Sequence, residues 1–144
     1  MQPSDDDLKR ILTETRVIAL IGWSANADRP SHRVAEFLAA KGYRVIPVNP
    51  GHAGKSALGE IVRARLSDIA EPVDMVDIFR RSEEVGGVVD EALQAFPALK
   101  TIWMQLGVED AKAAAKALAA GVAVVSNRCP AIEIPRLGLR GRQP

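Results

Sequence analysis

Five short apolar runs, separated by segments with helical spacing, restrict this chain more than any other feature. They are Val17–Ile21, Arg44–Val48, Asp74–Phe79, Thr101–Leu106 and Val122–Ser126. Val and Ile dominate them, and most lack the polar alternation of a strand with one wet face. Such runs read as strands buried on both sides. The intervening segments read as helices. Ser4 and Asp7 make a capping box ahead of Leu8, Ile11 and Leu12. Ser31 caps a helix that carries Val34, Phe37 and Leu38 and closes at Gly42. Ser82 caps one that carries Val85, Val88, Val89 and Leu93 and stops near Pro97. The stretch Glu109–Ala120 is rich in Ala and Lys, hence helical, and Gly121 ends it. The residues of Lys55–Asp68 suit either a helical turn or a short extended piece. Alternating strand and helix imply right-handed βαβ units and a parallel sheet covered on both faces. The expected fold is α/β: a Rossmann-like, doubly wound sheet of five parallel strands in the order 3-2-1-4-5. One domain, residues 1–139, holds it, and the polar tail 140–144 frays.

In such sheets ligands bind beyond the carboxyl ends of the strands, at the switch point. Basic residues collect there. Arg29, His32 and Arg33 follow the first strand, His52 and Lys55 the second, Arg80 and Arg81 the third, and Arg128 the fifth. Asp28 is the acid among these loops. The whole chain carries a net charge of only +1, so a basic rim is a local arrangement and points to an anionic ligand with several phosphates. The same near-neutrality argues against nucleic acid as a partner. Gly22 lets the backbone approach a ligand, Ser24 offers a hydroxyl, and Ser31 opens a helix whose N–H groups favour a phosphate as well as a cap. The glycine turn lacks the three glycines of a dinucleotide fingerprint. The second strand lacks the terminal acid that grips ribose; it reads "YRVIPVNPG". NAD is therefore disfavoured. Val48, Asn49 and Pro50 suit a flat base instead, with His52 and Lys55 as cations for a further phosphate, although "NPG" is also a plain turn.

No apolar run approaches the roughly 18 residues of a membrane span, and the start, MQPSDDDLKR, is too acidic and polar for a signal peptide. A single cysteine excludes an internal disulfide and a cysteine-rich zinc site. The expectation is a cytoplasmic protein with neither membrane nor metal partner.

The segments "GWSANADRPSHRVAEFL", "GYRVIPVNPGHAGKSALGE", "PVDMVDIFRRSEEV", "IWMQLGV" and "NRCPAIE", taken together and in this order, resemble the small CoA-binding domain proteins. These are stand-alone relatives of the CoA-binding N-terminal domain of the succinyl-CoA synthetase α subunit. The resemblance runs over roughly Asp5–Leu139. It implies coenzyme A, free or acylated, as ligand. It implies that Gly22, Ser24 and Ser31 lie along the diphosphate and that Val48, Asn49 and Pro50 border the adenosine. His52 or Lys55 would stand near the 3′-phosphate. Ile78, Phe79 and Arg80 would flank the adenine and pantetheine path, and Met104, Gln105 and Gly107 the pantetheine arm. The synthetases' histidine-bearing domain has no counterpart in these residues. Binding without catalysis by this chain alone is therefore expected; the alternative is an enzyme or ligand sensor that uses CoA or NAD(P) together with a partner protein.

Other chemistry-bearing residues each have two readings. Cys129, beside Arg128, either packs as a small buried residue under Pro130 and Ile132 or meets the cofactor thiol in a mixed disulfide. Glu133 and Asp77 have no nucleophile to serve and suit structural roles, Asp77 by hydrogen bonding a neighbouring loop. Trp23 and Trp103 stack on a base or pack under a helix.

Overall fold

The structure is a computed structural model that describes residues 2–141. In chain order it contains α1 (Asp5–Glu14), β1 (Val17–Ile21), α2 (Pro30–Ala40), β2 (Arg44–Val48), β3 (Ser56–Ala57), β4 (Glu60–Ile61), β5 (Met75–Ile78), α3 (Val85–Ala95), β6 (Thr101–Met104), α4 (Ala111–Ala119), β7 (Ala123–Val125) and α5 (Pro130–Arg136). Short 3-10 turns occupy Pro50–His52, Leu66–Asp68 and Ser82–Glu84. All five apolar runs are strands of one parallel sheet, ordered β2-β1-β5-β6-β7.

Successive strand residues point to opposite faces, and both faces are covered. Ala19, Ile46, Val76, Ile102 and Met104 pack beneath α3 and α4 with Val85, Val89, Ala92 and Ala117. Ile18, Leu20, Val45, Met75, Trp103 and Val125 pack beneath α1, α2 and α5 with Leu8, Leu12, Leu38 and Ile134. This double burial is why the strands read as unbroken apolar runs.

The Rossmann-like α/β class holds, and the place of the third run differs from expectation. Counted along the chain, the five strands stand in the order 2-1-3-4-5. The third, β5, pairs with β1 through Ile18↔Met75 to Ile21↔Ile78, on the side away from β2. The reason lies in β2. Gly22 and Arg44 N–H groups mark the β2 residues that bond to the β1 side, through Val48 O and Arg16 O. Pro47, one position off that alternation, faces its missing N–H outward. A proline of this kind belongs on an edge strand. The excursion after β2 then covers the edge: Arg63 N–H donates to Pro47 O and Asn49 N–H to Arg63 O. No strand can add there. Arg44, exposed on the same edge, is held by Glu60 at 2.9 and 3.0 Å.

Other local expectations resolve as follows. The Ser4–Asp7 capping box is present. Lys55–Asp68 contains the antiparallel β3–β4 hairpin and a 3-10 turn. Ser31 is not a cap: α2 begins one residue earlier at Pro30, with Arg29 at the cap position, because a proline is pre-set for the first helical residue. Ser82 does not cap α3 either. It opens a 3-10 turn, and its Oγ accepts the Glu109 N–H at 3.1 Å. Asp77 orients no loop. It is wholly buried on β5, level with Leu20 and Trp103, and neither carboxyl oxygen has a hydrogen-bond partner. Of the tail, Gly141 lies against Lys41, and residues 142–144 lie outside the described residues.

Candidate functional site

At the carboxyl ends of β1, β5, β6 and β7 the loops part around a pocket of about 950 Å³. That is the upper end of the range for small-molecule sites. Each wall follows from a strand ending. After β1 the chain turns at Gly22 (φ +89°) and runs through Trp23 and Ser24 to the first turn of α2, where Ser31 and Val34 face the pocket. After β5 come Phe79, Arg80 and Arg81, then Glu84. After β6, Gln105 to Val108 make a turn closed by the Gln105 carbonyl, which accepts the Val108 N–H at 2.8 Å. After β7, Asn127 (φ +56°) accepts the Gly107 N–H on its Oδ1 at 2.7 Å and ties the last two loops together; Cys129 and Ile132 complete the wall.

Of the residues singled out in the sequence, Gly22, Ser24, Arg29, Ser31, Asn49, Phe79, Arg80 and Gln105 line this pocket. Val48 and Ile78 do not. Both are fully buried beneath α3 and α4 and offer no surface to a ligand. Their successors, Asn49 and Phe79, line the pocket instead, as the two-residue period of a strand requires. Pro50 borders a separate cleft of about 260 Å³ that shares Gly22, Arg80 and Glu84 with the larger one. His52 and Lys55 line neither. The His52 ring meets Trp23 edge-on at 5.7 Å, and Lys55 Nζ lies 3.1 Å from His52 Nδ1. His32 stacks on Trp23 at 5.8 Å, with Nδ1 2.8 Å from the Ser24 carbonyl oxygen. Both histidines thus pack on the first turn.

Gly22 lines the pocket and has a second task besides. A Cβ there would stand 2.1 Å from the Phe79 carbonyl oxygen, so what the bare backbone approaches is the end of β5. The Gly22 and Trp23 N–H groups both donate to Val48 O, at 3.0 and 3.3 Å. Asn49 is also engaged: its Nδ2 donates to Trp23 O at 2.6 Å and its Oδ1 accepts the Gly51 N–H at 2.8 Å. It braces two turns. The open donor at the start of α2 is the Ser31 N–H, since Pro30 has none.

The rim is less basic than a count of loop residues implies. Arg80 donates to Glu84 at 2.7 Å, and this hydrogen bond holds the Glu84 carboxyl below the usual carboxylate range. Arg128 donates to Glu133 at 3.1 Å, and Glu133 also accepts from Arg136. Glu133 is therefore a structural acid between two guanidinium groups. Arg29 is exposed on the pocket wall and has no ion pair among the described residues. Glu84 was overlooked, yet an acid four residues after Arg80 on a helical segment is a legible i,i+4 pair. Asn127, Leu106 and Ile132 also escaped notice; only Asn127, a residue type tolerant of positive φ, carried a signal.

Two residues that line the pocket each carry a buried polar atom without a partner. Gln105 is 5 % exposed and its Oε1 accepts nothing; Trp23 is 5 % exposed and its Nε1 donates to nothing. Buried polar groups left so cost free energy. Trp23 and Gln105 both line the same large pocket. Trp103, by contrast, is fully buried and donates to Arg128 O at 2.8 Å, which leaves it a core residue. Among the described residues no three His, Cys, Asp or Glu side chains gather as metal ligands, and no helix is long and apolar enough to cross a membrane.

A family model described as a CoA binding domain matches residues 16–135. An uncharacterized Bacillus subtilis (strain 168) protein, YneT, is 35% identical over 127 residues, spanning 88% of this chain and 91% of that one. A Thermus thermophilus protein of known structure superposes with a TM-score of 0.88 at 34% identity, covering 94% of this chain and 99% of that one. The apo form of the dinucleotide-forming acetyl-coenzyme A synthetase 1 of Ca. Korarchaeum cryptofilum matches with a TM-score of 0.65 at 23% identity, over 82% of this chain and 27% of that one; this likeness is one of fold.

Proposed function

The chain belongs to the CoA-binding domain family, and from that premise we propose that its pocket binds coenzyme A, free or acylated, without catalysis by this chain alone. The observation that carries the reading is Gln105. Gln105 lines a pocket large enough for a long cofactor, its Oε1 is buried without a partner, and a pantetheine amide N–H is the donor it lacks. Arg29, Arg80 and the Ser31 N–H face the diphosphate, with the Ser24 hydroxyl beside them. Charge-assisted contacts of this kind are the strong ones. The arm passes Phe79 toward Gln105. The base lies toward Asn49, with the Pro50 cleft next to it. What CoA supplies when bound is a thiol that carries acyl groups. The residues described here hold and orient it.

Calorimetry with CoA, acetyl-CoA, NAD, NADP and ATP tests this reading. CoA is expected to bind and NAD not to. Arg80→Ala removes a charge-assisted contact of about 1.5–3 kcal/mol and leaves Glu84 facing the phosphates, so affinity falls at least roughly tenfold. Tight NAD binding without CoA binding overturns the proposal. Unchanged CoA affinity in Arg80→Ala overturns the placement of the phosphates.

A further inference from the structure

Cys129 is the one cysteine of the chain. It stands at the cap position of α5, is 6 % exposed, and forms part of the pocket wall. Helix α5, which Cys129 precedes, packs against α2, and Cys129 shares one buried cluster with Trp23 and Val34, so it lies on the same side of the pocket as the start of α2. The pantetheine arm has as many chain atoms between phosphate oxygen and sulfur as about four amino-acid residues, which extend to roughly 13–14 Å. A diphosphate beside Ser24 and Ser31 thus puts the thiol within reach of Cys129. Gln105, with its buried and unpartnered Oε1, follows β6 and lines the same pocket. It is the independent sign that a polar arm crosses there.

We propose that Cys129 accepts the cofactor's sulfur in a mixed disulfide when the pocket is offered CoA in its oxidised, disulfide form. This rests on the CoA-binding reading. The chemistry is thiol–disulfide exchange. Cys129 loses its proton and its thiolate attacks one sulfur of the CoA disulfide. That S–S bond breaks, the Cys129–S–S–CoA bond forms, and the second CoA leaves as thiolate and takes up a proton. The oxidising equivalents arrive with the CoA disulfide, and no other oxidant is needed. A free thiol reverses the step. Selectivity comes from burial. A disulfide that cannot seat its own body in the pocket does not reach Sγ, whereas one that seats gains the proximity of an intramolecular reaction.

The test uses reduced, purified protein and intact-mass spectrometry over time, with CoA disulfide or glutathione disulfide at equal concentration. The expected product is one adduct per chain, with the mass of CoA less two hydrogens. It forms at least tenfold faster than the glutathione adduct. Adenosine 3′,5′-bisphosphate, which has no thiol and competes only for the pocket, slows it. Parallel calorimetry with reduced CoA separates the two claims. If CoA binds but no adduct forms, or glutathione disulfide reacts as fast, the mixed disulfide is refuted and the binding reading stands. If CoA does not bind, both fall together.

Discussion

Replacing Asp77 by asparagine tests the interior in a way that only pH can reveal. Asp77 is fully buried on β5, level with Leu20 and Trp103, and neither carboxyl oxygen is hydrogen-bonded. Burial without compensation disfavours the charged form and pushes this carboxyl well above the ordinary Asp range. The sign follows from proton counting. In the unfolded chain the group titrates near pH 3.9. Between that value and its raised native value, the folded state holds the proton and the unfolded state does not. Stability from this group is therefore full below about pH 4 and is lost as pH rises toward the native value. One proton sets the slope, at most about 1.4 kcal/mol per pH unit. Asp77→Asn keeps the shape and removes the titration. Its amide has no partner either, but that cost, about 1–3 kcal/mol, does not vary with pH.

Asp5, Asp7, Glu60, Glu71 and Glu84 are shifted the opposite way by their hydrogen-bond and cationic partners. They lose stability as pH falls, so the wild-type profile alone is a mixture of slopes. These groups are common to both proteins and cancel in the difference. Urea unfolding followed by circular dichroism, from pH 4.5 to 6.5, should show the stability difference moving in the variant's favour by as much as about 3 kcal/mol. In thermal scans that is roughly 6–12 °C for a chain of this size. Two profiles that stay parallel across the range would mean that Asp77 is ionised and partnered in solution, and the reasoning from its isolation would be refuted.

Two further substitutions probe the framework of the pocket. Gly22→Ala sets a Cβ 2.1 Å from the Phe79 carbonyl oxygen at a φ of +89°; positive φ and overpacking together should cost about 2–5 kcal/mol, and a melting temperature within a few degrees of wild type would deny the β1–β5 contact. Ser82→Ala removes the acceptor of the Glu109 N–H and should cost about 1 kcal/mol, with faster exchange of the Glu109 amide and no loss of helical circular dichroism; a drop in helix content would restore Ser82 as the cap of α3.

The strands were legible because burial on two faces leaves an unbroken apolar run, and no tertiary information is needed to see it. Their order was not, because it hinges on one residue. Pro47 sits inside the second run, and its lack of an N–H leaves no donor on its outer side for a full ladder, so only the short Arg63 segment pairs there, through the Pro47 carbonyl and the Asn49 N–H. Taken at face value it marks β2 as an edge and excludes the order 3-2-1-4-5. Helix α5 was missed because it is short and carries prolines at its start and at Pro135, which breaks any helical signature. Around the pocket the frame slipped by one at Val48 and Ile78, because the last residue of a buried strand still points into the core. The rim looked basic because the acids that answer Arg80 and Arg128 lie beyond the loops, in the 3-10 turn before α3 and in α5.

The corrected order also explains where the pocket opens. After β1 the chain passes to α2, on the face that also carries α1 and α5; after β5 it passes to α3, on the opposite face. Adjacent parallel strands whose connections leave to opposite faces define the switch point, and the crevice forms between their loops. With the third strand outside the second, that point would fall between β1 and β6. Here it falls between β1 and β5, where Gly22 and Phe79 meet without room for a methyl group. The contact is the floor of the divide. Arg80, one residue further on, borders both the large pocket and the smaller cleft, and Glu84 fixes its guanidinium at that junction. A ligand that spans the two spaces must pass this one cation, so Arg80 decides between a site that merely lies at the sheet edge and one organised by the switch point. Loss of affinity for the phosphate-bearing part of CoA in Arg80→Ala, with affinity for pantetheine retained, is the result that the topology demands.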